Sequence, residues 1–165
     1  MSAPKQLVFR TIDLDKHFEI DYQFRKETYL ASFGHADKHL SEDEYREWLS
    51  KRIRDYPQGH VHAWLGEEII GQILAMPRTD LSPDNTLEGH VYGYYIAPQW
   101  RGQGYGFQLE TYVNDWFRQM GCHRITLSVS PANQTAMAFY TRQGWKDCGP
   151  RPDKPVHLME KFLES

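Results

Sequence analysis

Only two cysteines occur, Cys122 and Cys148, with no Cys-x-x-Cys spacing, so neither a disulfide framework nor a thiolate zinc site is indicated. No stretch approaches the roughly 18 consecutive apolar residues of a membrane-spanning helix, and residues 1–10 lack the apolar core of a secretory signal. These absences lead to the expectation of a cytoplasmic protein without a membrane partner. Basic charge is not in excess either: 19 Lys and Arg stand against 22 Asp and Glu, a net charge of −3. Nucleic acid, which attracts clustered Lys and Arg, is therefore not an expected partner. Internal repeats and low-complexity segments are also missing.

What is present is ordinary for a folded chain. A length of 165 residues with 40% hydrophobic and 25% charged residues fits one domain over 1–165. The 14% aromatic share is high enough to furnish pockets.

Alternation over 6–11 predicts a strand, and Phe18, Tyr22, Tyr29 and Phe33 at helical spacing predict a helix over 13–33. Ser41 and Glu44 form a capping box for a second helix, whose apolar stripe is Tyr45, Trp48, Leu49, Ile53 and Tyr56 and which Pro57 ends. Residues 60–65 and 68–77 read as a hairpin turning at Gly66-Glu67. After a polar loop over 78–87, the strand over 89–96 is aromatic on both parities, as in a central strand covered on both faces. His90, Tyr92 and Tyr94 then share one face, opposite Val91 and Tyr95. Gly93 interrupts this strand and marks either a tolerated weak spot or a bulge; a bulge exchanges the faces and makes Tyr92 rather than His90 line a site. A helix ending at Gly121, a strand over 124–129, a helix over 133–142 closed by Gly144, and strands over 145–148 and 157–162 complete the reading.

The turn Arg101-Gly102-Gln103-Gly104-Tyr105-Gly106 lies between a strand and a helix. A helix N-terminus has amide donors without intrahelical partners and about half a positive charge, so it attracts anions, and glycine lets a phosphate approach the backbone. The dinucleotide fingerprint fails because Phe107 stands where its third glycine is required, and no Gly-Lys-Ser/Thr of a phosphate-binding loop is present.

What remains, Arg-x-x-Gly-x-Gly at Arg101, Gly104 and Gly106, resembles the pyrophosphate-binding motif of the GNAT superfamily of N-acetyltransferases. Asn133, Ala136, Phe139, Tyr140, Gly144 and Trp145 resemble that family's second signature, at the right distance downstream. The resemblance implies an α/β (α+β) fold: a mixed, mostly antiparallel seven-stranded sheet flanked by about four helices and splayed between strands 4 and 5. It also implies acetyl-CoA as donor, bound through Ile96, Ala97, Arg101, Gly102, Gln103, Gly104, Tyr105, Gly106 and Asn133. Tyr140 matches the usual general acid, although a phenol giving its proton outright to a thiolate is uphill by roughly 2 kcal/mol. A core role under Phe139 is the alternative for Tyr140, and a helix N-cap for Asn133.

Acetyl transfer needs an unprotonated amine. His90, with an intrinsic pKa near 6.5, suits removal of that proton and stands where some histone-modifying relatives carry a base. Its alternative is a packed, hydrogen-bonded residue beside Tyr92, with Glu88 the reserve base. Acceptor binding is expected from the first two helices, their link at 34–40 and the loop over 78–87, with Tyr22, Tyr29, Tyr92 and Tyr94 lining a pocket and Glu27, Asp37 and Asp80 facing an ammonium. A small-molecule primary amine attacking directly in a ternary complex is the expected reaction. A protein N-terminus or lysine as acceptor, a non-catalytic acyl-CoA-binding module and a homodimer stay open. The pairs His60/His62 and His35/His39 lack a third ligand at recognisable spacing, so no metal is expected.

Overall fold

Local sequence signals set most of the elements. In a computed structural model of the chain, residues 4–33, 41–152 and 155–164 are described. Strand β1 (Val8–Thr11) precedes helix α1 (Leu14–Phe33), whose first turn is held by the Asp13 carboxylate accepting from the Asp15 and Lys16 amides. Helix α2 (Glu42–Asp55) begins with the reciprocal Ser41/Glu44 capping box and stops before Pro57. Strands β2 (His60–Leu65) and β3 (Glu68–Arg78) form the expected hairpin. They are followed by β4 (Glu88–Ile96), α3 (Tyr105–Gln119), β5 (Arg124–Val129), α4 (Gln134–Arg142), β6 (Lys146–Pro150) and β7 (His157–Phe162). None of the helices among the described residues is long and apolar enough to cross a membrane.

The seven strands form one sheet in the order β1-β2-β3-β4-β5-β7-β6. Only β4 and β5 run parallel among these neighbours, as the mixed-sheet expectation requires. Their pairing covers residues 89–91 against 125–127, although β4 continues to Ile96 and β5 to Val129. Beyond that point the strands part, which is the expected splay. The paired ends are held together by Arg124, which bonds both Glu88 carboxylate oxygens at 2.9 and 2.8 Å and Glu160 at 2.7 Å.

One face of the sheet carries α3. Leu109, Val113 and Phe117 are almost wholly buried there against Val91, Ile125 and Leu127, and each such side chain contributes about 1.5–3 kcal/mol by leaving water. The other face carries α1 and α2, with Tyr45 and Leu49 of α2 fully buried beside Tyr22 and Leu74. A polar layer runs beneath this second face: Asp21 accepts from Tyr45 and pairs with His62 at 2.7 Å, while the buried His60 bonds the Tyr56 carbonyl at 2.8 Å.

In β4, Leu74 of β3 pairs with Gly93 but Ala75 pairs with Val91, so Tyr92 is an extra residue and the strand bulges. A bulge reverses the parity of the residues beyond it. Tyr94 and Ile96 accordingly join Val91 on the α3 face, whereas Tyr95 packs on Phe24 of α1 at 4.3 Å. The expectation that Tyr94 shares a face with His90 and Tyr92 is thereby corrected: the bulge stands between them.

Candidate active site

The split between β4 and β5 opens toward the start of α3. The 101–106 turn reaches that helix with Gly102 at φ 74° and Gly104 at φ 93°, left-handed conformations that cost a residue with a side chain about 1–2 kcal/mol. Gly104 is the N-cap and provides no side-chain bond, so the first-turn amides of α3 lack a capping acceptor. An anion fits this end. Arg101, exposed at its tip, directs its Nε to the Ile96 carbonyl at 2.7 Å and lies 5.4 Å from the Tyr95 ring centre. Gln103 bonds back to the Gln99 carbonyl, and the Tyr105 side chain is buried, so Tyr105 offers the turn its amide. The Ala97 amide is used within the sheet, donating to the Ile70 carbonyl at 2.7 Å. Because that bond flanks the Gly71–Ile96 pair, ladder alternation turns the Ile96 amide away from β3 and toward the split.

The two sequence motifs meet in space. A Cβ on Gly106 would come within 3.1 Å of the Phe139 ring, so the absence of a side chain lets α4 pack on the first turn of α3. The Asn133 side chain accepts from the Ala136 amide at 3.2 Å, which is the N-cap arrangement. Tyr140 stands 6.4 Å from Tyr94 and 5.9 Å from Trp145, ring centre to ring centre. Its hydroxyl has no hydrogen-bond partner among the described residues, and the buried Tyr94 hydroxyl has none either. Burial, followed by the nearby Glu110 carboxylate, raises both phenols above their ordinary pKa. Glu110 itself is bonded by Trp145 at 3.0 Å and Lys161 at 2.7 Å. Two protonated hydroxyls therefore border the split, which suits a site receiving an acyl group and a sulfur atom.

On the opposite face, His90 is buried, bonded through Nδ1 to the Thr126 hydroxyl at 2.7 Å and set edge-on to Tyr92 at 4.9 Å. Glu88, the reserve base, is held by Arg124. Beside Tyr92 lies a groove of about 860 Å³ between α2 and the 78–92 segment. Tyr92 lines it, as expected from a bulged strand, together with Trp48 and Asp80. Asp80 is not waiting for an ammonium: Arg78 bonds it at 2.8 Å through Nε and again through Nη2, holding its carboxyl down at about 2. Glu27 likewise accepts from the Tyr95 hydroxyl. Tyr29 is half-buried toward the end of α1, and Asp37, His35 and His39 lie outside the described residues.

Sequence reasoning missed the arginines of this groove, Arg25, Arg52 and Arg78. The Arg52 guanidinium lies 4.1 Å from the Trp48 ring centre and 5.4 Å from that of Tyr92, and Arg25 approaches Trp48 from 5.8 Å. A basic residue one helical turn after Trp48 was the available signal, but such spacing equally describes a solvated helix face.

The sequence profile of the acetyltransferase (GNAT) family matches residues 22–145. The N-alpha-acetyltransferase 30 of Schizosaccharomyces pombe is 27% identical over 108 residues, 66% of this chain and 71% of that protein. The aminoalkylphosphonate N-acetyltransferase of Salmonella typhimurium is 28% identical over 108 residues, 65% of this chain and 69% of the other. Among solved structures, the spermidine N-acetyltransferase of Vibrio cholerae, in complex with CoA and spermine, superposes with a TM-score of 0.72 at 19% identity, covering 96% of both chains.

Proposed function

The chain belongs to the acetyltransferase (GNAT) family, and on that premise we propose that it moves an acetyl group from acetyl-CoA to the primary amine of a small molecule by direct attack in a ternary complex. Carrying this reading is the contact of the two motif segments, Gly106 against Phe139, which sets the free amides of α3 and the Tyr140 hydroxyl beside one split in the sheet. The α3 amides and Arg101 hold the pyrophosphate, and the Ile96 amide in the split takes the cofactor's acyl arm. The thioester supplies an activated acetyl group.

Each remaining task falls to this chain's residues. A carbon–nitrogen bond forms as the carbon–sulfur bond breaks, and the sulfur leaves beside the Tyr140 hydroxyl. Because burial raises that phenol, outright proton transfer is still more uphill than between free phenol and thiol, so Tyr140 acts as a strong hydrogen-bond donor. The amine loses its proton on the groove side, where His90 lies behind Tyr92 and above Thr126.

A panel of amines, amino acids, polyamines and peptides incubated with acetyl-CoA, read by released thiol, tests the reading. Small amines are expected to release thiol and peptides are not. Release with peptides alone replaces the acceptor by a protein terminus, and CoA binding by calorimetry without release from any acceptor reduces the chain to a binding module.

A further inference from the structure

The groove between α2 and the 78–92 segment has more positive charge than its own carboxylates balance. It presents three arginines, Arg25, Arg52 and Arg78, and one acid, Asp80. Asp80 is fully engaged by Arg78 in a fork-to-carboxylate pair, beside the Tyr92 hydroxyl. For Arg25 and Arg52 no ion-pair partner exists among the described residues. The buried Asp21, one helical turn before Arg25 on α1, is committed to Tyr45 and His62.

Both guanidinium groups instead approach the same indole, Trp48, and the Arg52 Nε is buried without a hydrogen-bond partner. The last turn of α2 offers Arg52 some compensation through the negative end of the helix. It offers Arg25, on α1, none. Two cations gathered on one ring, one of them with a shielded and unused donor, is an arrangement that a bound oxyanion completes: guanidinium forks match carboxylate and phosphate oxygens, and such bonds strengthen when water is excluded. The surrounding Trp48 and Tyr92 rings fix the forks in place, which lowers the ordering cost of binding.

Resting on the transferase reading above, we infer that the acceptor carries an oxyanion beside its amine, a carboxylate or a phosphonate or phosphate ester, and that Arg25 and Arg52 read it. Tyr92, the bulged residue of β4, lies between this anion subsite and His90, so the amine end of a short acceptor extends along the strand toward the split. Polycationic amines are disfavoured by the same two arginines.

Matched pairs of acceptors assayed with the full chain and acetyl-CoA test the inference: an amino acid against its amide, an aminoalkylphosphonate against the corresponding amino alcohol, and spermidine. Removing the oxyanion is expected to lower kcat/KM by about tenfold or more, the size of one lost charge-assisted bond. The better of the carboxylate and phosphonate arms identifies the anion. Arg25→Gln, and Arg52→Lys, which keeps the charge and stem but loses the fork, are expected to raise KM for the anionic acceptor by about tenfold and to leave calorimetric CoA affinity unchanged. Equal turnover of anionic, neutral and cationic partners, equal use of peptides without an acidic side chain near the amine, or wild-type KM in both variants overturns the inference while the transferase reading stands. CoA binding without thiol release from any amine overturns both.

Discussion

The proposed donor side and the proposed acceptor side of this molecule are built from different materials. On the donor side, the split beyond Val91, the left-handed glycines at 102 and 104 and the amides of α3 are all backbone features, with the Tyr140 hydroxyl added at one point. The acceptor side consists of side chains contributed by α1, α2 and the 78–92 segment, stacked on Trp48 and resting on the buried layer of Asp21, His60 and His62. A backbone site depends on which positions lack a Cβ, whereas a side-chain site depends on tertiary packing. The two sides should accordingly fail in different ways when changed.

The largest expected effect is on turnover. Tyr140→Phe keeps the ring contacts with Tyr94 and Trp145 and removes only the unpartnered hydroxyl. It is expected to lower kcat by about 100-fold, at the lower end of what a positioned hydrogen-bond donor to developing charge contributes, with CoA affinity and acceptor KM little changed. Steady-state kinetics beside calorimetry separates these quantities, and undiminished kcat removes Tyr140 from the chemistry.

Next in size is an effect on stability that belongs to the acceptor side. Burial, first among its causes, lowers His60 from 6.5 to about 4. Between those values the unfolded chain binds a proton that the folded chain refuses, so stability is full above pH 6.5 and falls as the pH drops toward 4. The loss attributable to His60 between pH 7 and 4.5 is on the order of 2 kcal/mol, at 1.36 kcal/mol per unit. His60→Asn, which retains a donor for the Tyr56 carbonyl, is expected to show a shallower decline in urea-unfolding free energy over that range. Equal slopes for the two proteins would show that His60 is not the source.

The same contrast explains how much the sequence disclosed. Element order, the Ser41 capping box, the hairpin at Gly66-Glu67 and the sheet's splay were legible because each rests on local spacing or on two motifs in order. The glycine turn was legible because glycine is required where φ is positive. The faces of β4 were not, since one extra residue at Tyr92 inverts everything after it and Gly93 marked only that a bulge was an option. The pairing of Glu88 with Arg124 was not legible, because the two lie 36 residues apart on different strands. Arg25, Arg52 and Arg78 escaped for the same reason: three elements distant in sequence bring them to one indole and one tyrosine.

The comparison can be broken most directly at the turn itself. Gly104→Val places a branched side chain at φ 93°, where the left-handed backbone costs it about 1–2 kcal/mol, and 3.2 Å from Pro4. The helix start must shift, and CoA affinity is expected to fall by about tenfold, since the amides no longer converge. Arg101→Ala removes a side chain whose Nε is already spent on the Ile96 carbonyl, so its expected loss is smaller, about threefold. Calorimetric titration of CoA into both variants ranks them. If Arg101→Ala proves the more damaging, the donor side too is held by side chains, and the division between a backbone-built and a side-chain-built half does not describe this protein.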